Sequence, residues 1–354
     1  MPLERNRLRS PGAGSVARSI GRMEFGLALP HYDFSVPGES PLRFETVAEY
    51  ARMGEALGFD SLWVSDHVSL SIEKYGGPPG VEYFAYEPLT TLAAIARETT
   101  RPRLGTLVLC EALRPAGVLA KALATLDRLC DGRLDVGIGA GWYAPDYEAV
   151  GLALPSPGER LARLREALAV LDALLPGGPA TLDGKAHLVR EATNRPPALQ
   201  EPRPPIFVGG KGDRLLRLAA ELGDGWNTCW VWTPDGYRER VEVLARACEQ
   251  VDRDPASVRR TLGLYALAGD DEADLAARYR RMQAEAPGGM LDDVSLDQWR
   301  VGRLVGTPDQ LAEQVGGWAA LGVVELIACV GPLPFSVSAP DDVELLARTL
   351  RATR

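Results

Sequence analysis

Asp66-His67 closes the stretch Leu62-Trp63-Val64-Ser65-Asp66-His67, a titratable pair directly after a short apolar run. Histidine is the side chain whose ordinary proton equilibrium lies near neutrality, so such a pair can take or give a proton during a reaction. The chain has three histidines. A second, His31, also follows an apolar run, Glu24 to Leu29. The alternative role for the pair is structural, with Asp66 capping the next loop and His67 packed against it. A metal centre is not expected: the sequence has no His-x-His and no His-Glu-x-x-His, and too few histidines for a barrel hydrolase.

Two glycine-rich stretches could hold an anion, because glycine lets backbone N–H groups approach one closely. The first is Gly137-Ile138-Gly139-Ala140-Gly141-Trp142. It is not a dinucleotide fingerprint: Trp142 stands where the third glycine belongs, and no acidic residue ends a second strand about 20 residues on. The second, Gly209-Gly210-Lys211-Gly212, precedes a helical pattern whose N-terminus would present free N–H groups, with Lys211 and Arg214 adding charge. Either stretch could instead be a tight turn. Trp226, Trp230 and Trp232 could wall a pocket for a planar ligand or belong to the core.

These residues need strands that end beside one another. Short apolar runs are read as strands at Glu24–Leu29, Ser61–Val64, Leu104–Leu109, Leu134–Ile138, Pro205–Val208, Gly225–Trp230, Thr261–Ala268 and Val323–Val330. Helical spacing follows most of them, at Arg43–Leu57, Pro88–Glu98, Pro115–Leu129, Glu159–Leu175, Asp213–Leu222, Pro234–Val251, Glu272–Ala284, 307–321 and Val343–Leu350. Strands apolar on both faces and alternating with helices imply an α/β protein, a (β/α)8 TIM barrel rather than an open doubly wound sheet. In such a barrel chemistry sits at the carboxyl ends of the strands, which is where His31, Asp66, His67 and both glycine loops fall. Loop Ser69–Glu87, an insertion over 179–204 with a hairpin at Ala180–Lys185, and the segment 285–306 would shape a substrate pocket.

The whole chain carries a net charge of −9, which argues against a nucleic-acid or membrane partner, either of which would want a basic face. Five widely spaced cysteines without a Cys-x-x-Cys pair imply buried thiols in a reducing, cytoplasmic setting. No run nears the ~18 apolar residues of a membrane span. Residues 1–22, rich in Arg, Gly and Ser, are expected to be a disordered tail, with one domain from 23 to 354 and Met23 as a possible translational start. Only four lysines occur, Lys74, Lys121, Lys185 and Lys211; with abundant Ala, Gly and Pro this points to a GC-rich genome.

Taken together, Leu62 to His67, Leu104-Gly105-Thr106-Leu107-Val108, Leu119 to Asp127, Gly132-Arg133-Leu134, Gly137 to Trp142, Pro205 to Gly210, and Leu218-Ala219-Ala220 with Asp224-Gly225-Trp226 resemble the bacterial luciferase-like flavin oxidoreductases, in order from Met23 onward. The resemblance implies a barrel with an insertion, commonly a homodimer, and a small-molecule substrate. The cofactor would be coenzyme F420, or FMN in a monooxygenase needing a separate flavin reductase; a non-catalytic flavin-binding protein is the third possibility. Asp66-His67 and the Gly137–Trp142 pattern look more like the F420 branch. There, by resemblance, His67 would sit at the reactive ring carbon as the proton donor or acceptor, oriented by Asp66, with His31 as a second candidate. A non-proline cis peptide at Leu107-Val108 would lie behind the ring. Gly139, Ala140, Gly141, Trp142, Gly209, Gly210, Lys211 and Gly212 would hold the ring edge and phosphate. Two departures matter: sugar-phosphate dehydrogenases of this branch have an acidic glutamate where Trp142 stands, and a tryptophan at the position of Ser71. Glucose-6-phosphate is therefore not the expected substrate.

Overall fold

Eight parallel strands close on themselves. They are β1 (Glu24–Ala28), β2 (Ser61–Val64), β3 (Arg103–Thr106), β4 (Leu134–Gly139), β5 (Ile206–Gly209), β6 (Gly225–Trp230), β7 (Arg259–Ala268) and β8 (Glu325–Cys329). β1 pairs with both β2 and β8, with Gly26 opposite Ser61 and Glu24 opposite Glu325, while β5 pairs back to β4 with Ile206 opposite Val136. The result is the expected TIM barrel. The computed structural model describes residues 22–354; the tail expected over residues 1–22 lies, up to residue 21, outside the described residues.

The strands form here because both faces are apolar and both are covered. Leu62 and Val64 of β2 join a core shared with the surrounding helices, whereas Trp63 between them joins a second cluster with Ala28, Leu107, Tyr265, Ile327 and Cys329. That alternation is the period of two of a strand, so the second cluster is the barrel interior. Trp63 is fully buried and fits only because its neighbours lack side chains. A Cβ on Gly105 would stand 2.2 Å from the indole and one on Gly26 2.8 Å from its Nε1.

The outer ring comprises α1 (Phe44–Ala56), α2 (Pro88–Glu98), α3 (Ala116–Leu129), α4 (Pro157–Leu174), α5 (Asp213–Leu222), α6 (Pro234–Glu249), α7 (Glu272–Glu285), α8 (Pro308–Ala320) and α9 (Pro340–Ala352). In α3, Leu119, Leu123 and Leu126 are one helical face and are buried; each such leucine contributes ~1.5–3 kcal/mol against exposure. Ser156 and Glu159 close a capping box on α4, and Thr307 and Gln310 do so on α8 with Pro308 at the first turn.

Several elements differ from the sequence reading. The run expected as one strand, Leu104–Leu109, breaks after Thr106 and resumes as Leu109–Cys110, with a cis Leu107-Val108 peptide between. A second non-proline cis peptide, Cys229-Trp230, carries no sequence signal. Loop 69–87 contains an antiparallel pair, Ser69–Ser71 with Glu82–Phe84. The insertion hairpin is longer than expected, Ala180–Asp183 with Leu188–Ala192. Segment 285–306 is structured too: Leu296–Trp299 is a capped helical turn, and Leu304–Gly306 pairs in parallel with β7. Both escape notice because polar, glycine-containing segments show no periodicity of their own. No described helix is long and apolar enough to cross a membrane.

Candidate active site

The carboxyl ends of the strands open into one cavity of about 1360 Å³. Asp66, His67, Leu107, Val108, Gly139 to Trp142 and Gly209 to Gly212 all line it, so the sequence-expected set is brought together. His31 is the exception. It is fully buried behind the wall, its ring stacked on Tyr32 and Phe335 at 4.6 and 5.1 Å, with Nε2 3.1 Å from Ser65 Oγ. Burial, helped by the nearby His67, pushes its pKa down to about 3, so it stays neutral and offers a substrate no proton. The third histidine, His187, pairs with buried Glu111 at 2.7 Å and fastens the insertion.

His67 keeps its place as the group facing the cavity, but its partner is not Asp66. The Asp66 carboxylate accepts two hydrogen bonds from Arg114, at 2.6 and 3.0 Å, and one from the Cys110 N–H at 2.8 Å. Its task is to pin the chain after β3. The acid that holds His67 is Asp146, whose Oδ2 lies 2.5 Å from Nδ1. Asp146 Oδ1 also accepts the N–H groups of Val68 and Ser69, at 2.8 and 3.2 Å. Facing three donors, this carboxylate assigns the Nδ1 proton to the imidazole and leaves Nε2 as the working nitrogen. Asp146 lies on the short helix Ala144–Ala149 that follows β4. Its signal in the sequence is a lone carboxylate one turn beyond a glycine loop, which no spacing rule connects to His67.

The loop after β4 is held from both sides. Arg160 of α4 donates to the Gly141 carbonyl. Tyr143 Oη donates to Glu82 at 2.8 Å and accepts from Ser71 N at 2.9 Å, tying the loop to the 69–84 hairpin. Trp142, half exposed, meets His67 edge-on at 5.7 Å, and Lys74 Nζ lies 3.4 Å from its ring centroid.

Part of the glycine pattern serves the protein itself. A Cβ on Gly209 would fall 2.6 Å from Val108 Cγ1, one on Gly139 3.0 Å from Val108 Cγ2 and one on Gly137 2.0 Å from the Thr106 carbonyl oxygen. These glycines of β4 and β5 make room for the strand break at Val108, and Gly139 and Gly209 also border the cavity. Gly212 differs: a Cβ there would meet nothing within 4 Å. Trp226 is core, stacked on Tyr237 at 5.2 Å, whereas Trp230 lines the cavity and the ring of Trp232 carries Lys211 Nζ 4.5 Å from its centroid.

Charge in the wall is one-sided. Its carboxylates, Asp66, Asp146 and Asp213, are each engaged, by Arg114, His67 and Arg240 respectively. Its basic residues are Lys74, Arg160, Lys211, Arg214, Arg217 and Arg303, and none forms an ion pair among the described residues. Burial lowers the pKa of Lys74 to about 8 and depresses those of Lys211 and Arg303. An acidic protein thus turns unpaired positive charge towards one cavity, and Lys211, Arg214 and Arg217 sit about the N-terminus of α5.

A family model described as luciferase-like monooxygenase matches residues 23–325. A relative from Beutenbergia cavernae, an F420-dependent glucose-6-phosphate dehydrogenase, is 30% identical over 300 residues, covering 78% of this chain and 85% of its own. A 5,10-methylenetetrahydromethanopterin reductase from Methanolobus tindarius is 25% identical, over 86% of this chain and 94% of its own. Among solved structures, an F420-dependent secondary alcohol dehydrogenase in complex with an F420-acetone adduct superposes with a TM-score of 0.74 at 18% identity, covering 94% of this chain and all of that one. At that identity the likeness speaks for the fold.

Proposed function

Since the chain belongs to the luciferase-like monooxygenase family, we propose that it is an oxidoreductase that uses coenzyme F420 to move a hydride to or from a small organic substrate. The observation that carries this reading is the His67–Asp146 pair, set in a cavity whose unpaired cations suit a polyanionic cofactor. Relatives of similar length at 25–30% identity are named for F420 or for pterin reduction, which supports the choice over FMN.

The residues present fit such a cofactor. Leu107 and Val108 give an apolar wall, and Lys211, Arg214 and Arg217 with the first N–H groups of α5 are free donors for the anionic tail. Bound F420 supplies two-electron hydride chemistry at one ring carbon. His67 handles the accompanying proton. With Nδ1 tied to Asp146, Nε2 takes the substrate's proton when the substrate is oxidised and returns it when the substrate is reduced. Tyr143, Glu82 and Ser71 keep the loop that carries Asp146 in register with His67. Glucose-6-phosphate is not proposed despite the relatives' names, because Trp142 and Ser71 replace an acid and an aromatic that such chemistry uses.

The test is turnover with F420 and a panel of small alcohols, lactols and aldehydes, read as loss or return of deazaflavin fluorescence. His67→Ala is expected to lower kcat by about 10²–10⁴-fold while F420 affinity stays within severalfold. Unchanged turnover would remove His67 from the mechanism.

A further inference from the structure

The cavity holds a second cationic group, apart from the one about α5. Lys74 comes from the segment between β2 and α2 and Arg303 from the segment between β7 and β8. Each lies against aromatic rings bordering the cavity: Lys74 Nζ is 4.7 Å from the centroid of Tyr75, and the Arg303 guanidinium is 5.4 Å from Tyr265 and 5.3 Å from Trp299. Arg303 is anchored by one terminal nitrogen only, which donates to the carbonyls of Trp299 and Val301 at 2.7 and 3.1 Å. Its Nε is buried without a partner, and so is the Tyr265 hydroxyl, although Tyr265 is 97% buried and borders the cavity. Buried donors without acceptors are costly, and more so when the group is charged. Arg303 is half-buried with no carboxylate partner among the described residues, and beside it stands an orphaned phenol at the cavity wall; the pair together suits an acceptor brought in by a ligand.

We propose that Arg303, Tyr265 and Lys74 form a subsite for an anionic oxygen group, a carboxylate or a phosphate, carried by the substrate. The placement favours substrate over cofactor tail. Lys74 lies on Trp142, which touches His67, whereas the cations suited to the tail surround the N-terminus of α5 on the β5 side. The guanidinium fork and the phenol would bind the anion with directional hydrogen bonds, and the Lys74 ammonium would add charge from the opposite segment. A neutral alcohol would leave these donors unmet, so the subsite selects for charge as well as for size. This inference rests on the proposed cofactor only for the word substrate; the anion site itself does not.

Calorimetric titration of the F420-loaded protein with inorganic phosphate, and separately with propionate, tests it. Binding of at least one anion is expected, and which one binds distinguishes phosphate from carboxylate. Arg303→Met should weaken that binding by about tenfold or more and Tyr265→Phe by about threefold, each leaving F420 affinity unchanged. Tyr265→Phe removes one buried, unpartnered oxygen and keeps the ring, so it guards against a fold lost in the arginine variant. No binding of either anion, equal binding by both variants, or phosphate displaced by F420 would overturn the proposal. Cofactor affinity is read first by fluorescence quenching. If F420 fails to bind, the functional reading falls, and phosphate titration of the apo Lys211→Met/Arg214→Met protein still reports on Arg303.

Discussion

The two ends of the barrel treat charge in opposite ways. At the amino end, Arg103 is clasped by Asp135 and the Leu134 carbonyl, both at 2.7 Å, and Arg133 spends its guanidinium on the carbonyls of Cys130, Pro102, Ala96 and Thr99. Glu325, fully buried, accepts from the hydroxyl of Ser61 and from Trp63 Nε1, the latter at 3.2 Å. At the carboxyl end the wall's basic residues have no carboxylate partner among the described residues, and polar atoms of Arg303, Arg160 and Tyr265 are buried unpartnered. Unmet hydrogen bonds and unpaired charge oppose folding. Orphaned polar atoms also occur away from the cavity, as at Arg260 Nε near the amino end, so the contrast lies in charge: the cavity gathers six basic residues with no ion-pair partner among the described residues, an arrangement that suits an anionic ligand.

Glu325 offers the largest way to test that contrast. Burial, with Asp135 and Glu24 nearby, raises its pKa to about 7. A carboxyl raised above its unfolded value is favourable while protonated, so its contribution is full below about pH 4.5 and is lost as the pH climbs through 7. The loss amounts to roughly 3 kcal/mol by pH 8 for a fully buried group. Glu325→Gln should therefore flatten the fall in Tm between pH 5 and pH 8 and leave cofactor binding untouched. A variant as pH-sensitive as the parent would mean that the amino end does not govern stability in this way.

At the other end, Asp146→Ala should lower kcat by about tenfold, the worth of orienting one charge-assisted hydrogen bond. Stability should move little by comparison. A variant that unfolds while its residual folded fraction keeps full turnover would make Asp146 a structural residue and dissolve the contrast.

The strand order and most helix boundaries were legible because their causes are local: apolar runs in strands, 3.6-residue spacing in helices, and capping residues such as Thr307 and Gln310. The cavity's position was legible too, since barrels place their chemistry at strand ends. Partnership was not. Asp66 is adjacent to His67 in the chain, yet its carboxylate serves Arg114, and Asp146, 79 residues away, holds the imidazole. Spacing in sequence says which residues can share a loop, not which way side chains on a strand end turn. The glycines show a related limit: Gly139 and Gly209 border the cavity, but a Cβ on either would also crowd Val108, a neighbour that spacing alone does not reveal. Arg303 and Lys74 lie in segments without periodicity, and only the closed barrel sets them round one cavity.

The central claim is that the carboxyl-end cations are kept unpaired for a polyanionic deazaflavin. Parallel fluorescence titrations of the purified apo-protein with F420 and with FMN test it most directly, repeated with Lys211→Met and Arg214→Met. The account predicts tight, salt-sensitive quenching by F420, weakened by about tenfold in either variant, and little response to FMN. Tight FMN binding with no response to F420, or F420 affinity indifferent to both substitutions, would contradict it.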